Sequence, residues 1–239
     1  MKRLFFTTVA VLLTLTVSQA QMTERYGGGG SFNFGIQTMD VEPLNDIISQ
    51  YGYEELSTAN ISFGGGGQFY LGKWVVSGEG GFVGQDEVTN DLYTLQFGSG
   101  YGMFSVGYNV VDRKQFLLYP SVGGGFYGTG IRLSGRIDNK EFEDVFAEPQ
   151  ENQDVTVSTG AFTGAGQIAL NADWLLESNE ESAYGLLIGL SAGYRFAGTA
   201  DFENIAGSEL VNSPDFNPGG AFLTLRIGGG FRGPKGARQ

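Results

Sequence analysis

The 239-residue chain contains no histidine and no cysteine, and it carries only 14 Lys and Arg residues against 26 acidic ones. Without histidine, neither a Ser-His nucleophile pair nor a histidine-ligated zinc site can be built. Without cysteine, no disulfide stabilises the fold and no thiolate holds a metal. The net charge of −12 opposes electrostatic binding to nucleic acid.

Carboxylate chemistry is the remaining route to catalysis. Neighbouring acids such as Asp86 and Glu87 point apart in an extended chain, so they do not form an acid/base pair. We therefore expect no enzyme, no catalytic residue, no cofactor, no resident metal and no nucleic-acid partner.

Long apolar runs are also scarce, and the one that stands out lies at the N-terminus. Lys2 and Arg3 precede the apolar segment 4–17, which ends in a small-residue sequence at 17–20. This pattern is typical of a secretory signal peptide, and the run is shorter than the ~20 residues of a transmembrane helix. We predict a signal peptide at 1–20, a mature domain over 21–231 and a short tail over 232–239.

What the chain has in abundance is glycine, with 40 residues. Aromatic and aliphatic side chains alternate with glycine and polar residues in eight segments, and a period of two is the period of a β-strand. The eight predicted strands cover residues 29–38, 60–71, 74–85, 92–111, 116–131, 155–176, 184–197 and 220–231.

The predicted connections alternate between short and long. Short turns at 72–73, 112–115 and 177–183 oppose mostly longer loops at 39–59, 86–91, 132–154 and 198–219. The loop 39–59 holds five acids and no base, and its residues 43–53 have a partial helical stripe. This layout is typical of an all-β, eight-stranded antiparallel up-and-down transmembrane β-barrel with short periplasmic turns and longer acidic outward loops.

The polar residues of the strands share one face, opposite the apolar residues. A polar lumen inside an apolar wall accommodates such a face, and its charges must be paired there. The predicted lumen network consists of Glu79, Arg195, Arg226, Gln68, Gln167, Asn171 and Asp173. The alternative is a soluble secreted β-sandwich binding module whose polar face meets water.

Aromatic residues beside the short turns predict an interfacial girdle of Trp74, Tyr108, Tyr119, Trp174 and Tyr184.

The alternation of apolar side chains changes phase part-way along residues 92–111, and we expect a β-bulge near residues 99–103 to restore the register.

The last predicted strand contains Arg226, Gly228 and Phe231, which is similar to the polar-x-Gly-x-x-aromatic part of a barrel-insertion signal. With the strand pattern, the chain resembles the small eight-stranded outer-membrane β-barrels, the class of outer-membrane proteins A and X and other porin-like barrels. The resemblance implies a monomer in the Gram-negative outer membrane that contacts lipid, lipopolysaccharide and the barrel-insertion machinery.

We predict a structural or surface-interaction role, as in adhesion or partner docking, carried by the long loops. The acidic loops are also candidates for binding divalent cations or a surface partner. The alternative is a transport function: a small-solute or ion pore, in which exchange of lumen salt bridges opens a thin channel.

Overall fold

The computed structural model describes residues 25–135, 156–178, 182–199, 202 and 213–234. In chain order these residues form β1 (Arg25–Thr38), α1 (Glu42–Ile48), a 3-10 turn (Ser49–Tyr51), β2 (Ala59–Leu71), β3 (Trp74–Thr89), β4 (Tyr93–Tyr108), β5 (Val111–Asp112), β6 (Phe116–Gly135), β7 (Thr156–Ser178), β8 (Ala183–Ala197) and β9 (Gly220–Pro234). Among these elements, neither helix has the length and apolar character needed to cross a membrane.

The long strands close into a ring. β1 to β4 are antiparallel neighbours in chain order, β4 pairs with β6, and β6 to β9 continue until β9 pairs with β1. The described residues thus form an up-and-down barrel of eight long strands, and β5 is a two-residue addition beside β6. The predicted fold class is confirmed. The sandwich alternative is wrong, because a sandwich consists of two separate sheets.

The alternation of the sequence decides which side chains face outward. Phe32 is 72% exposed and Ile61 is 73% exposed, whereas their neighbours Asn33 and Ser62 are buried in the lumen. On β3 the apolar exterior runs from Trp74 to Phe82. Those nine residues match the ~9–11 that a tilted strand needs to cross a bilayer. An apolar wall around a polar interior is the arrangement of a membrane-spanning barrel.

The predicted bulge near residues 99–103 is wrong. β4 pairs with β6 without a shift from Tyr93 to Gly107, so one phase holds along the whole strand. The register instead shifts in β3 between Val83 and Gln85, where Gly84 has φ 67°. Glycine adopts this left-handed conformation at little cost, and the extra residue re-aims the strand.

The bulge at Gly84 also changes the predicted loop at 86–91. Residues up to Thr89 belong to β3, and the connection to β4 shrinks to residues 90–92. Val88 and Leu95 then face each other across the pair and are both buried inside the barrel. The barrel therefore extends beyond the apolar belt on the side of β3 and β4.

Other predicted boundaries differ at the ends. The predicted signal peptide lies outside the described residues. Of the predicted tail, Arg232 to Pro234 form the end of β9, and residues 235–239 lie outside the description. The helix expected at 43–53 is α1 with its 3-10 turn. Pro43 lies in its first turn, where a proline ring fits, and Gly52 ends it at φ 78°.

Candidate functional site

The lumen contains a salt bridge between Arg195 of β8 and Glu79 of β3, with Nη2 2.8 Å from Oε1. The other two guanidinium nitrogens of Arg195 are also bound: Nε donates to Gln167 Oε1 at 2.7 Å and Nη1 donates to Gln37 Oε1 at 2.6 Å. Each nitrogen of this fully buried group therefore has an acceptor, as a charge held away from water requires.

Aromatic rings complete this layer of the lumen. The Arg195 guanidinium carbon lies 4.0 Å from the ring centroid of Tyr101 and 4.3 Å from that of Phe222, which are cation–π distances. Gln37 Nε2 donates to Tyr127 Oη at 2.7 Å, which orients the amide oxygen of Gln37 towards Arg195. The layer is thus filled from wall to wall.

A second charged cluster is centred on Arg226 of β9. Its Nη2 donates to Asp173 Oδ1 at 2.7 Å and its Nη1 donates to Gln68 Oε1 at 2.9 Å. The second oxygen of Asp173 accepts hydrogen bonds from Gln68 Nε2 at 2.9 Å and Tyr119 Oη at 3.0 Å. Gln68 also bonds the hydroxyl of Tyr70. Every member is buried, and the Asp173 carboxylate is shared among donors from three strands, β2, β6 and β9.

Asn171 lies beside this second cluster and bonds different partners. Its Nδ2 donates to Ser121 Oγ at 2.9 Å, and its Oδ1 accepts from Ser191 Oγ at 2.8 Å. The seven residues of the predicted lumen network therefore divide into a group around Arg195, a group around Arg226, and Asn171 with its serines.

A third ion pair closes the short-turn end. Arg232 Nη2 lies 2.5 Å from Asp112 Oδ1, and Arg232 Nη1 donates to the backbone oxygen of Arg113 at 3.0 Å. The prediction placed Arg232 in the tail. Its even number, shared with Arg226, is the signal that places it on the lumen face of the same strand.

A small polar cavity of about 20 Å³ lies in the lumen, and its lining includes members of both charged clusters. Ser77 and Glu79 contribute from β3, Ser191 from β8 and Arg226 from β9. Arg226 Nε has no hydrogen-bond partner among the described residues. The volume suits about one or two water molecules.

The outward half of the lumen is mainly apolar. Side chains from the barrel wall and from two connections pack there into one buried cluster: Met39, Val41, Leu44, Ile48, Leu56, Val83, Val88, Leu95, Phe97, Tyr101, Met103, Tyr127, Ile131, Ala161, Phe202 and Phe216. Phe97 meets Phe216 edge-on with ring centroids 5.3 Å apart. We call residues 39–58, with Phe202 and Phe216, the outward cap, because they cover the barrel mouth.

Polar contacts hold the outward cap to the wall. Asn45 Nδ2 donates to Leu56 O at 3.1 Å, and Leu56 N donates back to Asn45 Oδ1 at 2.8 Å. Ser57 N donates to Asp86 Oδ2 at 2.9 Å. An isolated bridge joins Asp40 to Asn217. The cap is therefore a packed part of the fold.

The tip of the β3–β4 connection also touches the cap. Asn90 Nδ2 donates to Tyr51 O at 3.0 Å. Burial, and then the neighbouring Tyr93, raise the pKa of Tyr53, whereas its hydrogen bond with the Asn90 side chain lowers the pKa. The first connection and the β3–β4 tip therefore form one continuous outer surface.

At the short-turn end, aromatic residues meet on the outer wall. The Trp74 and Tyr108 rings lie 5.2 Å apart and the Phe116 and Trp174 rings 4.9 Å apart. Tyr184 is also exposed on the wall. Tyr119 does not belong to this girdle, because its parity on β6 turns it into the lumen, where it is 1% exposed and bonded to Asp173.

The residues of the predicted insertion signal occupy both faces of β9. Arg226 lies in the lumen, Phe231 is 63% exposed on the wall near the short turns, and the inward Gly228 lies against the backbone of β1. Across the described ranges, no group of three or more acids is arranged to hold a metal ion.

No protein-family model matches the chain, and no curated protein matches it. Three similar solved structures are those of the attachment invasion locus protein Ail of Yersinia pestis, Neisserial surface protein A, and the outer membrane protein OprG of Pseudomonas aeruginosa. Their sequence identities are 12%, 10% and 13%, with TM-scores of 0.40, 0.33 and 0.38. Each alignment covers 88% of this chain, and 99%, 96% and 96% of those chains respectively.

The geometry of the chain itself determines its class. Eight long antiparallel strands close into a ring, the lumen is polar with paired charges, and the outer wall carries a bilayer-high apolar belt with aromatics near the turns. The chain is a small eight-stranded β-barrel of the outer-membrane type.

Proposed function

We propose that this outer-membrane barrel is a non-enzymatic surface-interaction protein. The barrel serves as a rigid support, and the outward cap presents the binding surface. The observation that carries the proposal is the filling of the lumen: three ion pairs and an apolar cap occupy it in succession. A barrel filled in this way is suited to presenting a surface rather than to passing solutes.

The energetics of the lumen support a scaffold. Removing one partner of a buried ion pair typically costs about 3–5 kcal/mol. An ion crossing the lumen would have to separate Arg195 from Glu79 and Arg226 from Asp173, and would also have to displace the apolar cap. Glu79 and Asp173 are each paired with an arginine inside the filled lumen, an arrangement suited to a structural ion pair rather than to general acid or base catalysis.

A loop-trimmed barrel tests the proposal. Residues 42–56 would be replaced by a short Gly-Ser linker, and a retained heat-dependent mobility shift on a detergent gel would show that the barrel still folds. Cells displaying the wild-type chain are expected to adhere to gelatin-coated and other protein-coated surfaces, whereas cells displaying the loop-trimmed barrel lose that adhesion. Equal adhesion by both, at equal display, would contradict the proposal.

The second candidate is an ion pore, and the polar cavity of about 20 Å³ beside both charged clusters favours it. In an ion pore, Arg226 would exchange its salt bridge with Asp173 for one with Glu79, and the cavity would become part of a narrow ion path through the lumen. Conductance in a planar bilayer separates the two candidates, since a scaffold passes no current.

The remaining partners are part of the same proposal. Phe231 on the outer wall, near the end of β9, is accessible to insertion machinery, and the apolar belt contacts lipid and lipopolysaccharide. Binding of divalent cations by the acidic loops stays a prediction. Calcium titration of the protein in detergent, followed by tryptophan fluorescence, would test it.

A further inference from the structure

Among the residues that the structure describes, most exposed large apolar side chains lie on the barrel wall, but three lie beyond it at the outward end. They are Ile47, Tyr51 and Leu92, and the last two are 70% and 68% exposed. Phe82 is the last apolar residue that β3 presents on the wall. The seven further residues to Thr89 advance the strand by roughly 20 Å, so Leu92 lies well outside the apolar belt.

These three residues form one surface, which we call the outward patch. Ile47 and Tyr51 are four residues apart, and residues with this spacing lie on the same face of a helix. Leu44 and Ile48 point the other way, into the apolar cluster. Asn90 joins the pieces, since its Nδ2 donates to Tyr51 O at 3.0 Å and its Oδ1 accepts from Leu92 N at 2.9 Å.

The two segments that carry the outward patch are acidic. The segments 39–59 and 86–92 contain no lysine or arginine. No carboxylate in either segment forms an ion pair with another described residue. The exposed acids on these two segments are Asp40, Glu42, Asp46, Glu54, Glu55, Glu87 and Asp91.

We propose that the outward patch is a docking surface for a polypeptide segment that presents apolar side chains between basic ones. The inference rests on the proposed function and adds the chemistry of the partner. An exposed aromatic and aliphatic centre with a charged rim is a common form of protein interface. The rim attracts lysine and arginine and repels sulfated polysaccharides and anionic lipid head groups.

The experiment measures binding of a fluorescein-labelled ten-residue peptide to the protein in phosphatidylcholine nanodiscs. The peptide has a central Trp-Leu pair flanked by four lysines, with serine elsewhere. One companion peptide has glutamates in place of the lysines, and another has serines in place of Trp and Leu. The variant pair is Tyr51→Ser with Leu92→Ser. Val110→Ser is the matched control, because Val110 is an exposed apolar residue at the opposite end of the barrel.

We expect the lysine peptide to bind wild-type protein and Val110→Ser equally, and the Tyr51→Ser/Leu92→Ser variant about tenfold or more weakly. Both companion peptides and heparin should fail to bind, and added salt should weaken the complex. If the lysine peptide binds the double variant as tightly as the folded wild-type protein, or binds empty discs equally well, the docking surface is overturned. Preferential binding of heparin would overturn it too.

The loop-trimmed barrel separates this proposal from the broader one. If cell adhesion depends on residues 42–56 but the double serine variant still binds the peptide and still adheres, the docking surface is wrong and the surface-interaction role stands. If adhesion does not depend on residues 42–56, the surface-interaction role is wrong as well.

Discussion

Arg195 and Glu79 are held 2.8 Å apart although their strands, β8 and β3, lie on opposite sides of the eight-strand ring. Two further contacts span the barrel in the same way: Gln68 of β2 with Asp173 of β7, and Gln37 of β1 with Tyr127 of β6. Side chains from opposite walls therefore brace the lumen, and the cross-section cannot widen without breaking buried polar contacts.

The first prediction concerns the Arg195–Glu79 brace. Arg195→Met leaves Glu79, Gln167 and Gln37 without their shared donor, and we expect a loss of about 3–5 kcal/mol in the free energy of unfolding. Urea unfolding of the detergent-refolded protein, followed by tryptophan fluorescence, measures it. Arg132→Met is the matched control, since Arg132 is exposed on the outer side of β6 beyond the belt.

The double variant sharpens this test. Arg195→Met with Glu79→Leu removes both charges, so the double variant lacks the unpaired buried carboxylate that destabilises Arg195→Met. We expect the double variant to be more stable than Arg195→Met alone. Strictly additive losses would show that the two residues do not act as a pair.

The second prediction contrasts two adjacent glycines of β6. A Cβ on the inward Gly125 would lie 1.9 Å from Gly102 O, whereas a Cβ on the outward Gly124 would have its nearest neighbour, Ala165 O, at 3.6 Å. Gly125→Ala must displace the β4 backbone, so we expect a loss of about 2 kcal/mol or more, with Gly124→Ala close to neutral. Urea midpoints of the two variants decide the matter, and equal midpoints would contradict the inward packing.

The third prediction concerns the apolar belt. Ile168→Arg places a charge on the outer wall of β7 midway between Phe162 and Trp174, and we expect a loss of about 2–4 kcal/mol in a bilayer. Gln96→Arg is the control, because Gln96 lies on the outer side of β4 beyond the belt, next to Glu87. Unfolding in phosphatidylcholine vesicles measures both. A neutral Ile168→Arg would place this part of the wall in water.

The alternation of side chains could be read from the sequence because its period of two is a property of every strand. It placed Arg195 and Gln167 on the lumen face, along with Arg226 and Asp173. It did not say which arginine meets which acid, since pairing across the lumen depends on closure of the ring and on register.

Three features of the fold could not be predicted from the sequence, each for its own physical reason. One extra residue at Gly84 shifts the phase of β3, and glycine-rich strands offer many positions where such a bulge fits. Tyr119 lies beside a turn like the girdle residues, yet its parity turns it inward. The outward cap depends on tertiary contacts that the strand period does not reveal, such as Asn45 with Leu56 within the first connection and Phe97 with Phe216 between distant parts of the chain.

We propose a barrel with a closed lumen that presents a binding surface at its outward end. Conductance of the refolded wild-type protein in a planar lipid bilayer tests it most directly, with the fold of the added protein verified by its heat-dependent mobility shift on a detergent gel. We predict no discrete current steps, because ion pairs and the outward cap fill the lumen. Reproducible unitary current steps from the folded protein would contradict the closed lumen and establish the pore.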